Sequence, residues 1–154
     1  MKQQRIYIDT SVFGGYFDIE FAEYTMPLFE RVKNNELQII YSSLTEQELA
    51  TAPENVKQLV RSLPSVNVEF IDINTEAVTL AKQYVEEKVV GKTSYEDCLH
   101  IALATIHKAD YLASWNFKHI VNTIRIRGYN AVNLKMGYTT LEIRSPRDLM
   151  KYED

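Results

Sequence analysis

Short apolar runs alternate along this chain with longer segments in which apolar residues recur every three or four positions. The short runs predict β-strands, at residues 5–9, 37–43, 66–73, 110–114 and 131–135. The longer segments predict helices, at residues 23–35, 44–50, 53–63, 74–90, 93–109 and 118–128. Strands that alternate with helices are typical of a parallel sheet with helices on both faces, and therefore of an α/β fold.

The helix predicted over 93–109 has the clearest pattern in the chain. Thr93 and Glu96 have the spacing of a capping box, and apolar residues follow at helical intervals. We expect Gly128 to end the helix predicted over 118–128. The last residues predict a short extended piece and then a helical turn after Pro146.

Length and composition restrict the class of protein. The 154 residues suit one domain, predicted to span residues 1–154, and the content of 45% hydrophobic and 25% charged residues is that of a water-soluble globular chain. No apolar run reaches the roughly 18 residues of a membrane span, and the start lacks the apolar region of a secretory signal. We therefore expect a cytoplasmic protein with no membrane contact. The single cysteine, Cys98, excludes an intramolecular disulfide.

Charge is distributed unevenly. The net charge of −4 gives no general attraction for nucleic acid, yet residues 119–147 carry five basic side chains against one acid, Glu142. Two explanations fit this asymmetry equally: ordinary variation of the surface, and a basic rim beside an acidic pocket.

Four oxygen-bearing side chains are predicted to meet at one edge of the sheet. Asp9 ends the first strand, and Asn116 follows the strand at 110–114. Glu48 lies about one turn into the helix after the second strand, and Asp97 lies in the first turn of the helix at 93–109. Strands of a parallel sheet end at the same edge, and the helices that follow them begin there, so this edge is where such sheets bind ligands.

A cluster of carboxylates needs a compensating charge. Two of them about 4 Å apart repel by roughly 4 kcal/mol at an effective dielectric constant near 20. Lys92 is the only basic residue near these acids in sequence, so an all-oxygen site for Mg2+ or Mn2+, held by Asp9, Glu48 and Asp97, is the better prediction. Hydroxyl groups at the same edge are candidates to hydrogen-bond the acids or a phosphate: Thr10, Ser11, Ser43 and Ser114.

These segments resemble the PIN domain, a fold common among metal-dependent ribonucleases and the toxins of toxin–antitoxin pairs. The matching pieces are IYIDTSVF at 6–13, SSLTEQELA at 42–50 and EDCLHIALATIHKADYLASWNFKHI at 96–120. The resemblance implies a three-layer α/β/α sandwich with a central parallel sheet, and an acidic site that holds one or two Mg2+ or Mn2+ ions. It also implies hydrolysis of RNA, a homodimer and an antitoxin protein as partner.

One position departs from the resemblance. Many PIN domains carry an aspartate where this chain has Asn116. The asparagine can coordinate through its amide oxygen or hold a water, but it supplies no charge. The binding of a second metal ion is the property that this missing charge affects first.

The acids also have simpler explanations. Asp9 can cap the turn that follows it, and Asp97 can complement the helix dipole, as acids in a first turn do. Glu46 is a rival to Glu48 on a different helix face; the resemblance favours Glu48.

The other polar candidates are weaker. His100, one turn beyond Asp97, is either a packing residue or a donor to a phosphate or carboxylate. His119, with Lys118 beside it, either contacts RNA phosphate or is simply exposed, and Glu142 is a candidate for a further carboxylate.

Three functions are consistent with these residues. The first is a Mg2+- or Mn2+-dependent ribonuclease, in which Asp9 and Asp97 hold the metal, Glu48 orients or deprotonates water and Asn116 positions a water. The second is a catalytically weak or inactive PIN-fold module that binds RNA or protein. The third, a phosphotransferase of the haloacid-dehalogenase kind, needs a second aspartate where this chain has Ser11.

Overall fold

The computed structural model describes residues 3–91 and 94–151. The strands in these ranges are β1 (Arg5–Ile8), β2 (Gln38–Ser42), β3 (Val68–Ile71), β4 (Tyr111–Ala113) and β5 (Glu142–Arg144). The helices are α1 (Thr10–Gly15), α2 (Ala22–Lys33), α3 (Ser43–Leu49), α4 (Glu54–Ser62), α5 (Thr75–Glu86), α6 (Tyr95–Ile106), α7 (Thr123–Lys135) and α8 (Pro146–Lys151). A short 3-10 helix, Ser65–Asn67, precedes β3.

The strands form one parallel sheet in the order β3-β2-β1-β4-β5. The chain adds β2 and β3 on one side of β1 and then crosses over to add β4 and β5 on the other side. The strand order therefore reverses between β1 and β4, where Ile8 lies beside Ala113. Such a switch point leaves a crevice at the carboxyl edge of the sheet, because the connections on its two sides lead away to opposite faces.

Two hydrophobic cores cover the two faces of the sheet. Residues of β1 alternate between them: Ile6 and Ile8 pack with α1, α2 and α4, whereas Tyr7 packs with α5, α6 and α7. In the same way, Ile39 and Ile40 of β2 face opposite cores. A parallel sheet buried on both faces gives three α/β/α layers, as predicted.

Two predicted elements near the C-terminus are wrong. Residues 131–135 are the end of α7 and not a strand, and the last strand of the sheet is β5. The helix expected over 118–128 begins only after Asn122, whose side chain accepts hydrogen bonds from the amides of Ile124 and Arg125. Gly128 lies inside α7, where a Cβ atom would come within 2.8 Å of Val89. This glycine therefore permits a close contact and does not end the helix.

The sequence pattern does not predict helix α1 (Thr10–Gly15), whereas the remaining helices follow the pattern with ends that differ by a few residues. The helix predicted over 74–90 ends at Glu86, and the one predicted over 93–109 ends at Ile106. The capping role predicted for Thr93 lies outside the described residues. Within the described ranges, no helix is both long and apolar enough to cross a membrane.

Candidate active site

Asp9 is a buried carboxylate at the switch point of the sheet. It follows β1 and is only 4% exposed. The hydroxyl of Ser11 donates a 2.6 Å hydrogen bond to its Oδ1, and the hydroxyl of Ser114, which follows β4, donates one of 2.6 Å to its Oδ2. Each carboxylate oxygen thus accepts from one serine.

Backbone amides fix the direction of these two hydroxyl groups. The amide of Trp115 donates to Oγ of Ser11 at 2.9 Å, and the amide of Asn116 donates to Oγ of Ser114 at 2.9 Å. With an amide donating to each oxygen, each hydroxyl proton is left to point at Asp9. The Asp9 carboxylate is therefore held in one orientation by groups from both sides of the crevice.

Burial raises the pKa of Asp9 above its usual value, because the charged form loses its hydration. The nearby His100 and the two serine hydroxyls act in the opposite direction, and the negative charge of Glu48 raises the pKa further. Because burial leaves the negative charge of Asp9 poorly hydrated, a cation bound to this carboxylate would stabilise it.

Glu48 lies in the last turn of α3 with its side chain 34% exposed. Its Oε1 accepts hydrogen bonds from the hydroxyl of Thr10 at 2.7 Å and from Nε2 of His100 at 2.6 Å. Burial acts to raise the pKa of Glu48, but His100 and Thr10 outweigh it and hold that pKa below its usual value. Glu48 is therefore ionised at neutral pH.

A buried network that the sequence analysis missed lies behind His100. The hydroxyl of Tyr7 is 2.7 Å from Nδ1 of His100 and 2.8 Å from Oγ of Ser42. All three side chains are buried. A tyrosine in the middle of a buried strand was the available signal, because a buried phenol needs a hydrogen-bond partner.

Asp97 is half-buried in the first turn of α6. Its pKa is raised by burial and by the charges of Asp9 and Glu48, while His119 and His100 act to lower it. In the part of the chain that the structure describes, no hydrogen bond reaches its carboxylate. Asp9, Glu48 and Asp97 thus share one electrostatic environment, as the position of all three at the carboxyl edge predicts.

The chemistry of these side chains fits a hard divalent cation, but their spacing does not bring three of them together around one ion. Among residues 3–91 and 94–151, no group of three or more His, Cys, Asp or Glu side chains lies close enough to hold one ion together. The donors are carboxylate oxygens, and two of the three acids have raised pKa values. Mg2+ and Mn2+ prefer such oxygens and keep several waters, so few protein ligands suffice.

The side chains of Asn116 and Ser43 accept hydrogen bonds from backbone amides. The amide oxygen of Asn116 accepts hydrogen bonds from the backbone amides of Lys118 at 3.1 Å and His119 at 3.0 Å, so it caps the turn that follows β4. The hydroxyl of Ser43 accepts from the amide of Ile73 at 2.9 Å and holds the loop after β3. Both side chains stabilise loops around the site.

Glu142, Glu46 and His119 occupy different surroundings. Glu142 begins β5 beside Tyr111, at the amino edge of the sheet, and pairs with Arg144 at 2.5 Å. Glu46 is exposed and lies near Tyr41, whose pKa is raised first by burial and then by the charge of Glu46. His119 lies near enough to Asp97 to act on its pKa, and the Nδ1 of His119 is buried with no hydrogen-bond partner among the described residues.

No protein-family model and no curated protein sequence matches this chain. Solved structures do share its fold. VapBC2 from Rickettsia felis, solved with a DNA fragment from its promoter, is 16% identical over 92% of this chain and 98% of its own, with a TM-score of 0.57. FitAcB from Neisseria gonorrhoeae is 13% identical over 92% and 97%, with a TM-score of 0.57. Mycobacterium tuberculosis VapC20, described as a toxin that cleaves the sarcin-ricin loop, is 12% identical over 89% and 98%, with a TM-score of 0.55. The fold of this chain is therefore PIN-like.

Proposed function

We propose that this PIN-like chain is a Mg2+- or Mn2+-dependent endoribonuclease and the toxin of a toxin–antitoxin pair. The observation that carries the proposal is the Asp9 carboxylate, buried at the switch point between two serine hydroxyls and sharing its electrostatic environment with Asp97 and Glu48. Among the described residues, no lysine or arginine forms an ion pair with these three acids, and the basic side chain that contacts one of them is His100, which bonds to Glu48.

The proposed metal ligands are Asp9, Asp97 and Glu48. A bound divalent ion supplies Lewis acidity, which activates water and offsets charge on a phosphodiester. Ser11 and Ser114 keep Asp9 in a fixed orientation, so little reorganisation accompanies binding. Glu48, ionised at neutral pH, orients the attacking water or accepts its proton.

The partners follow from the same proposal. Another structure with the same fold is a toxin-antitoxin complex from Klebsiella pneumoniae, which is 18% identical over 73% of this chain and 88% of its own, with a TM-score of 0.55. We infer that an antitoxin protein binds this chain and that RNA is its substrate. Co-purification with the product of a small neighbouring reading frame tests the first inference. The homodimer stays a prediction.

A second function deserves the same experiment. The chain binds RNA or protein without cleaving it if its acids never assemble around an ion. Two observations favour this alternative: the described acids do not form a preassembled cluster, and the amide oxygen of Asn116 is already engaged by two backbone amides.

Cleavage of RNA with Mn2+, with and without EDTA, separates the two functions. We expect cleavage that EDTA abolishes and that Asp97→Asn reduces by at least about 100-fold. The matched control is Glu96→Gln, which removes the exposed carboxylate next to Asp97 on α6 and should leave cleavage unchanged. Cleavage that survives both EDTA and Asp97→Asn contradicts the proposal. Binding of RNA without turnover supports the second function.

A further inference from the structure

A single chain of hydrogen bonds runs from the start of α3 to Glu48 at its end. The amide of Thr45 donates to Oγ of Ser42 at 3.4 Å, and Ser42 lies 2.8 Å from the hydroxyl of Tyr7. Tyr7 is 2.7 Å from Nδ1 of His100, whose Nε2 is 2.6 Å from Oε1 of Glu48. The path leaves α3, crosses β1 and α6, and returns to α3.

The two ends of this series of hydrogen bonds determine which group donates in each bond. An ionised carboxylate only accepts, so Nε2 of His100 carries the proton that points at Glu48. In a neutral ring Nδ1 then accepts, and it receives the proton of the Tyr7 hydroxyl. The Tyr7 oxygen in turn accepts from Ser42, whose own oxygen accepts from the Thr45 amide. Every donor has an acceptor, and one tautomer of His100 satisfies them all.

Burial makes this arrangement rigid at one end. Tyr7 and Ser42 are 0% exposed and His100 is 2% exposed, whereas the side chain of Glu48 is 34% exposed. The ring of Tyr7 also packs edge-on against that of His100, with 5.7 Å between centroids. Glu48 is thus the partly exposed member of the group, and His100 is the buried one that holds it.

We propose that His100 is a positioning residue for Glu48, with its ring held in place by the buried Tyr7 and Ser42. The inference rests on the proposed function only for its consequence, which is that Glu48 faces the acids ready for a metal ion and water. Thr10 holds the same carboxylate oxygen from α1, so the two donors restrict Glu48 from opposite sides of the crevice. Groups that orient a ligand in this way typically change metal affinity or activity by about 10–100-fold when removed.

The first test reads the tautomer directly and needs no activity. Long-range 1H–15N correlation spectra of the metal-free protein, labelled at its three histidines, distinguish protonated from unprotonated ring nitrogens. The signals of His100 are those that disappear in His100→Gln. We expect a proton on Nε2 and none on Nδ1, and a changed Nδ1 signal in Tyr7→Phe, which removes the hydroxyl that donates to this nitrogen. A proton on Nδ1 of His100 in the native protein overturns the proposal.

The second test asks whether His100 acts through Glu48. We expect His100→Leu to weaken Mn2+ binding and to lower kcat/KM for RNA by about 10–100-fold, and His100→Gln, which keeps an N–H donor, to restore part of the loss. In a Glu48→Gln background, His100→Leu should cause no further loss of Mn2+ affinity. An equal loss in both backgrounds overturns the proposal, because it indicates packing alone. A native protein that cleaves no RNA contradicts the proposed function instead, and the tautomer and the Mn2+ affinities still decide the role of His100.

Discussion

The hydroxyl of Ser114 donates a 2.6 Å hydrogen bond to Oδ2 of Asp9, across the point where the strand order of the sheet reverses. The two residues are 105 positions apart in sequence and follow the neighbouring strands β1 and β4. Because Ser11 holds the other carboxylate oxygen, Asp9 is fixed before any ligand arrives. This arrangement makes the crevice the best candidate for chemistry in the molecule.

Removing the charge of Asp9 should change how stability depends on pH. Burial raises its folded-state pKa above the ordinary value of 3.8, so the folded protein binds this proton more tightly than the unfolded chain does. Stability from Asp9 is therefore greatest below about pH 4 and falls as the pH rises through the folded-state pKa. Urea unfolding without divalent ions should show Asp9→Asn gaining stability relative to the native protein between pH 4 and 7. Asp72→Asn, which removes an exposed carboxylate, is the control for net charge, and a pH-independent difference for Asp9→Asn would contradict the raised pKa.

Divalent ions should stabilise the folded protein. At a Mn2+ concentration about 100 times its Kd, binding adds about 2.7 kcal/mol, which corresponds to a rise in Tm of roughly 5–10 °C for a chain of this size. EDTA should reverse the rise, and Asp97→Asn should reduce it by more than half. Thermal unfolding followed by circular dichroism measures both, with K+ at equal ionic strength as the control. A Tm that does not respond to Mn2+ would argue against a metal site.

Two glutamates on α3 offer a matched pair for catalysis. Glu48 contacts Thr10 and His100, whereas Glu46 is exposed and lies near Tyr41. Glu48→Gln should lower kcat/KM for RNA by about 100-fold or more, as the loss of a general base does, and Glu46→Gln by less than about twofold. Equal effects of the two changes would remove Glu48 from the mechanism.

Two glycines at the end of α1 should respond differently to a methyl group. A Cβ atom on Gly15 would lie 2.7 Å from Nε1 of Trp115 and 3.0 Å from Oγ1 of Thr25, while Gly14 has open space around it. Gly15→Ala would disturb the 2.8 Å hydrogen bond between Trp115 and Thr25, so we expect the free energy of unfolding to fall by about 1–3 kcal/mol. Gly14→Ala should raise it by up to about 1 kcal/mol. Urea unfolding of both variants measures these changes, and equal effects would contradict the close packing around Gly15.

Variants of Asn116 test whether the main contribution of this residue is to stabilise the turn that it caps. Its amide oxygen accepts from two backbone amides, and an aspartate would keep both hydrogen bonds. Asn116→Ala should therefore lower the free energy of unfolding by about 1 kcal/mol, and Asn116→Asp should leave it unchanged. We expect cleavage by Asn116→Asp to stay within threefold of the native rate. A gain above tenfold would instead indicate that a charge at this position binds metal.

The C-terminal part of the fold shows where local pattern fails. A short apolar run such as residues 131–135 has the same appearance in a buried strand and in a buried helix. Gly128 has the sequence signal of a helix end, but its role is to let α7 approach Val89. Only the contact between two distant segments distinguishes these cases, and sequence periodicity does not contain it.

The same distinction holds within the site. The alternation of strands and helices predicted that Asp9, Glu48 and Asp97 lie at one edge, because parallel strands end there and helices packed antiparallel to those strands begin there. The tertiary structure decided the partners: Ser114 bonds to Asp9 while Ser43 bonds to a loop amide, and Tyr7 reaches His100. Those pairings depend on which elements are neighbours in the order β3-β2-β1-β4-β5. Hydrogen bonds act only over about 3 Å, so a pattern that places residues at an edge does not choose among them.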